Sequence, residues 1–154
     1  MEFQDGMENE PLTLTSSGGV ATITINRPAR RNAITQAMWH ALAVKVRSCA
    51  ADDANRVIVL RGAGGDFSAG ADISEFSTVR ASGASARAYE AANSAAFATL
   101  RESRIPVIAK IRGICFGGGF GLAAACDLRI ASSDALFSVP AARLGLAYPA
   151  DAMA

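Results

Sequence analysis

Two segments rich in glycine and small residues, each directly after an apolar run, constrain this chain more than any other feature. The first, Gly62-Ala63-Gly64-Gly65-Asp66-Phe67-Ser68-Ala69-Gly70-Ala71-Asp72-Ile73, follows Val57-Ile58-Val59-Leu60. The second, Gly113-Ile114-Cys115-Phe116-Gly117-Gly118-Gly119-Phe120-Gly121, follows Val107-Ile108-Ala109-Lys110-Ile111. Short apolar runs of this kind bounded by glycine read as buried strands. Loops nearly free of side chains let the main chain approach a substrate and point amide protons at it, which is the geometry that holds an oxyanion.

Elsewhere the pattern alternates. Residues 12–15 and 20–26 mix apolar residues with Thr around Ser16-Ser17-Gly18-Gly19 and read as a hairpin, stopped by Arg27-Pro28. From residue 35 to about 50, Met38, Leu42, Val46 and Cys49 recur at three and four and predict an amphipathic helix. A second helix is expected over residues 85–101, with Tyr89, Ala92, Ala96 and Leu100 on one face, and a third that starts near Gly118 and ends by Asp127. Strands 57–60, 107–111, 128–131 and 136–139 lie between and after them. Strands alternating with helices predict an α/β architecture with largely parallel pairing, in one domain over residues 11–154 behind a loose acidic tail, 1–10.

The charge balance narrows the partners. Fifteen Lys+Arg nearly cancel fourteen Asp+Glu, but Glu2, Asp5, Glu8 and Glu10 crowd the tail, leaving the remainder mildly basic. That suits an anionic small molecule, whereas the basic residues are too scattered for a nucleic-acid stripe. Cys49, Cys115 and Cys126 are odd in number and form no C-x-x-C pair, which points to a reducing, cytoplasmic setting with no disulfide framework or zinc site. The tail has neither the order of a secretory signal nor the arginines of a transit peptide. The longest uncharged run, residues 113–126, falls short of the ~20 residues that span a bilayer, so no membrane partner is expected.

Taken alone, the Gly117-Gly118-Gly119 run leaves three readings open. It can be close helix-sheet packing, or a dinucleotide site, since Gly119-Phe120-Gly121-Leu122-Ala123-Ala124 fits G-x-G-x-x-A without a suitable acidic residue about 20 positions on. It can also be an oxyanion site at a helix N-terminus.

The two loops together resemble the enoyl-CoA hydratase/isomerase (crotonase) superfamily. Asp66-Phe67-Ser68-Ala69-Gly70-Ala71-Asp72-Ile73 and, some forty residues later, Pro106-Val107-Ile108-Ala109-Lys110-Ile111-Arg112-Gly113-Ile114-Cys115-Phe116-Gly117-Gly118-Gly119 with Ala125-Cys126-Asp127 occur in the family's order. Asn26-Arg27-Pro28-Ala29-Arg30-Arg31-Asn32-Ala33 and Phe137-Ser138-Val139-Pro140 fit as well. The resemblance implies a crotonase-like (ClpP/crotonase) spiral of ββα repeats and an acyl-CoA thioester substrate. Coenzyme A would come as part of that substrate, with no permanently bound cofactor. The amides of Ala71 and Gly118 would hold the thioester oxygen, the middle glycine standing beside Gly117. The main chain at Ala69, Ala71 and Ile73, next to Asp72, would pass along the coenzyme. Arg30 and Arg31 would lie near its phosphates, where the arginine fork fits. Family members also imply a homotrimer or hexamer.

Two positions depart from the family's pattern. Its hydratases use two glutamates, and the matching positions here are Gly121 and Ala141, neither of which exchanges a proton. Asp151, after Tyr148-Pro149-Ala150, is then the candidate acid/base. Asp72 and Asp127 read as structural, the latter closing the third helix, and Glu75 reads as a solvated helix charge. His40 reads as a surface residue. A non-catalytic acyl-CoA-binding subunit is the alternative to an enzyme. Relatives continue with C-terminal helices past the position matching Ala154, so exposed apolar faces and self-association are expected.

Overall fold

Gly18 and Gly19, with φ of 57° and 82°, turn the chain in two residues between strands β1 (Leu12–Ser17) and β2 (Val20–Ile25). Both central residues of a type I′ hairpin need positive φ, so the strands close tightly and β1 runs two residues further than its alternation suggests. The structure, a computed structural model, describes residues 10–145. Glu10, the last tail residue, is already tied down: its carbonyl accepts from the Asn26 side chain at 3.1 Å.

Helix α1 (Gln36–Ala51) starts at Thr35, whose hydroxyl accepts the Met38 amide, a cap that contributes about 1 kcal/mol. Met38, Leu42, Val46 and Cys49 are buried and form the predicted face, joined by Trp39 and Ala43. Strand β3 (Val57–Gly62) follows, then the short α2 (Phe76–Val79) and the long α3 (Gly83–Arg101), capped by a Ser82–Ser85 box. Strand β4 (Val107–Ile111), β5 (Ile114–Phe116), α4 (Gly118–Ala125), β6 (Leu128–Ala131) and β7 (Leu136–Ser138) complete the described elements.

The large sheet has the order β1-β2-β3-β4-β6, antiparallel at the hairpin and parallel thereafter. Period-two alternation buries Ala21, Ile23, Ile25, Ile58, Leu60, Val107, Ala109 and Ile111 on one face, where they join the apolar faces of α1 and α3 in one core. Trp39 and Phe97 meet edge to face there at 5.7 Å between ring centroids. Each large side chain buried in this way contributes roughly 2 kcal/mol.

Strand β5 was not expected: its three residues lie between glycines and look like loop. It pairs in parallel with β7 in a separate two-stranded sheet, so each later turn of the chain contributes one strand to each sheet. The third helix ends at Ala125, before Asp127 as expected. Asp127 does not close it; its carboxylate accepts the Val107 amide at 2.8 Å and pins the start of β4. Arg129 closes the helix instead, donating to the carbonyls of Ala123, Ala124 and Cys126. Leu128, Ile130, Leu136 and Phe137 remain exposed, at 56%, 61%, 60% and 49%.

Candidate functional site

The site is organised from Asn32, a fully buried residue held at φ 56°. Its side-chain oxygen accepts the Arg27 amide, and its side-chain nitrogen donates to the carbonyls of Ala63 and Asp66 at 2.8 and 2.7 Å. Its own carbonyl accepts from the buried Ser68 hydroxyl at 2.8 Å. One side chain thus ties the turn at Pro28–Arg30 to the first glycine-rich loop. Gly62 is required beneath it, because a β-carbon there would run into the Asp66 and Phe67 carbonyls and the Asn32 amide.

Ser68 joins the two loops. Its hydroxyl accepts the Gly70 amide at 3.0 Å, and its carbonyl accepts the Phe116 amide at 2.9 Å. Gly119 packs directly on it, since a β-carbon on Gly119 would lie 2.7 Å from the Ser68 carbonyl oxygen. That contact accounts for Gly119 by packing and removes the need for a dinucleotide to explain it.

Ile34 fixes the next three residues. Its amide donates to Gly70 O at 2.8 Å and its carbonyl accepts Asp72 N at 2.9 Å, leaving the Ala71 amide between them unused. Gly118 opens α4, where the first amides have no intrahelical acceptor. Among the described residues, neither the Ala71 nor the Gly118 amide donates to a protein acceptor. The two meet: a β-carbon on Gly118 would lie 3.6 Å from Ala71 N and 3.0 Å from the Trp39 ring. Trp39, fully buried, forms the floor and donates its indole N–H to the Tyr89 hydroxyl at 3.2 Å. Gly117, at φ 50°, donates to Ser138 O and stands beside Pro140, which precedes Ala141.

Arg31 O accepts the Ala69 amide at 2.8 Å, which sets the exposed Arg30 and Arg31 against the first loop. Ile73 is also exposed, at 63%. Asp72 is buried, and it accepts from Ser74 N, from Ser74 Oγ at 2.6 Å, and from Arg27 at 2.8 Å. The Ser74 hydroxyl, helped by Arg27, holds its carboxyl below the usual range against the effect of burial. Glu75 is not a free helix charge, because it accepts the Gln36 amide at 2.8 Å at the positive end of α1. His40 is exposed. Asp151 lies outside the described residues.

Asn32, Ser68 and Trp39 are the site residues that sequence reasoning did not single out. The available signal was an asparagine four residues past the Arg27-Pro28 pair, a residue type that tolerates left-handed backbone. Among the described residues, no group of three His, Cys, Asp or Glu is placed to hold a metal ion. No helix there is long and apolar enough to cross a membrane.

The family model for enoyl-CoA hydratase/isomerase matches residues 15–153. The chain belongs to the enoyl-CoA hydratase/isomerase family. An enoyl-CoA hydratase/isomerase family protein from Hyphomonas neptunium superposes with a TM-score of 0.92 at 40% identity, covering 95% of this chain and 56% of that one. The (7aS)-7a-methyl-1,5-dioxo-2,3,5,6,7,7a-hexahydro-1H-indene-carboxyl-CoA hydrolase of Rhodococcus jostii is 36% identical over 84% of this chain and 50% of its own length. A short-chain-enoyl-CoA hydratase of Clostridium acetobutylicum is 36% identical over 91% and 53%. The α/β fold is therefore the crotonase fold. This member of the enoyl-CoA hydratase/isomerase family spans about half the length of the curated relatives it matches.

Proposed function

We propose that the chain binds an acyl-CoA thioester with its carbonyl oxygen between the amides of Ala71 and Gly118 and stabilises the enolate formed there. The observation that carries this reading is the meeting of two amides without protein acceptors, one on each glycine-rich loop. Each such donor contributes about 3–4 kcal/mol to a transition state that develops negative charge. The α4 N-terminus adds the positive end of a helix dipole on the same side.

In this reading the coenzyme runs along Ala69, Ala71, Asp72 and Ile73, past Gly117, with Arg30 and Arg31 toward its phosphates. Asp151 serves as acid/base, in place of the glutamates whose positions hold Gly121 and Ala141. The reaction is isomerisation, hydration or thioester hydrolysis, in the cytoplasm, by a homotrimer or hexamer. The exposed Leu128, Ile130, Leu136 and Phe137 support assembly through the sheet edges. Gly121 and Ala141 favour a second reading, an acyl-CoA-binding subunit without chemistry.

Isothermal titration of the full chain with a non-hydrolysable acyl-CoA analogue, with NADH as control, tests the first step. Saturable binding of the CoA ligand alone supports the site, and NADH binding with no CoA binding overturns it. The Asp151→Asn variant then separates the readings. Lost turnover at unchanged affinity marks an enzyme, and a wild-type chain that binds without turnover is the subunit.

A further inference from the structure

The parallel register of β3 and β4 sets Arg61 directly beside Lys110 on the sheet face opposite α1 and α3. Neighbouring strands are about 4.8 Å apart, and like charges side by side at that spacing are destabilising. Arg112, two residues beyond Lys110, adds a third cation past the strand end. With Gly62, Gly64 and Asp66 these residues line a cavity of about 90 Å³, several times the ~10–15 Å³ that one water requires.

No ion pair among the described residues neutralises this cluster. The ion pairs found among the described residues are Arg27–Asp72 and Lys45–Glu10, and neither involves the three cations. Asp66 is the one carboxylate in the lining; its Oδ1 accepts the Ile114 amide at 3.0 Å, and its single charge leaves the three cations in excess. Asp134, on the solvent side, also feels the charge of Arg112. The amides of Gly64 and Asp66 donate to no protein acceptor among the described residues.

We propose that this cavity is a binding site for a phosphate dianion, either inorganic phosphate or a terminal phosphomonoester. Two guanidinium forks and an ammonium offer more donors and more charge than a carboxylate can use, and they match an oxyanion with several acceptor oxygens. Glycine at two lining positions leaves the main chain open to close approach. None of the six lining residues is among those placed at the thioester, so the site stands independently of the acyl-CoA reading.

The test is titration of the full chain with inorganic phosphate, by calorimetry and by the phosphate-dependent rise in Tm, against chloride at matched ionic strength. The Arg61→Gln/Lys110→Gln variant is the comparison. Wild type should bind saturably and melt higher with phosphate. The variant should bind at least about tenfold more weakly and, relieved of like-charge repulsion, melt no lower than wild type without phosphate. Displacement of phosphate by coenzyme A but not by dephospho-coenzyme A identifies a nucleotide phosphomonoester as the source, whereas displacement by neither identifies a separate small phosphate ligand. A phosphate effect equal to that of chloride, or equal affinity in the variant, overturns the proposal.

Discussion

Gly70 meets Gly118 at a separation that admits no side chain: a β-carbon on Gly70 would lie 2.9 Å from the Gly118 amide nitrogen and 2.7 Å from the Phe116 carbonyl. Gly70 also holds φ 92°. Gly70→Ala therefore strains the backbone and forces the two loops apart, with an expected loss of about 1–3 kcal/mol. Gly65→Ala, with ordinary φ and open space around its β-carbon, should be neutral or slightly stabilising. Paired thermal melts check both, and acyl-CoA titration of Gly70→Ala should show weakened binding, because the two loops that carry the Ala71 and Gly118 amides are forced apart.

Asn32 carries two separable contributions. Asn32→Ala removes the bonds to Arg27, Ala63 and Asp66 and leaves buried groups unpaired, each at a cost of about 1–3 kcal/mol. Asn32→Gly loses the same bonds but relieves the left-handed backbone, so it should be the more stable of the two by roughly 1 kcal/mol. Denaturant unfolding of both variants measures the difference, and equal stability would show that φ 56° carries no strain.

Asp72 should make the protein sensitive to acid. Its folded carboxyl sits below the ordinary value of 3.8, so the unfolded chain takes up its proton first as pH falls. The stabilisation is complete above that ordinary value and is lost as pH drops through the folded one. Tm measured from neutral pH downward should fall more steeply below about pH 4 for wild type than for Asp72→Asn.

The thiols predict the opposite limb. Burial pushes Cys115 and Cys126 up from 9.0 to about 12. Between those values the unfolded chain releases thiol protons that the folded chain keeps, so stability declines as pH rises above 9. Replacing both cysteines with Ala should flatten this decline. In the native state at neutral pH, a thiol reagent should label them only at the rate of opening.

The parts of the fold set by local periodicity were legible before the structure. Met38, Leu42, Val46 and Cys49 marked α1, and the runs at 57–60 and 107–111 marked β3 and β4. Strand β5 was hidden because three residues between glycines carry no period, and its partner β7 lies some twenty residues away in sequence. The glycine-rich loops were legible as places where the main chain is left free of side chains to approach a substrate. What assembles them was not: Asn32 reaches partners 31 to 36 residues distant, and Ser68 reaches back across the same interval. Asp127 was misplaced for a related reason, because its contact with Val107 closes a loop of twenty residues that no helical pattern records.

The packing of Trp39 beneath Gly118 has an optical consequence. It is the chain's one tryptophan, wholly shielded from water, and its indole is bonded to a tyrosine hydroxyl. Intrinsic emission therefore reports on a single location, immediately under the two unpartnered amides. The molecule carries its own fluorophore where occupancy would be read, with no label to attach and no second tryptophan to subtract.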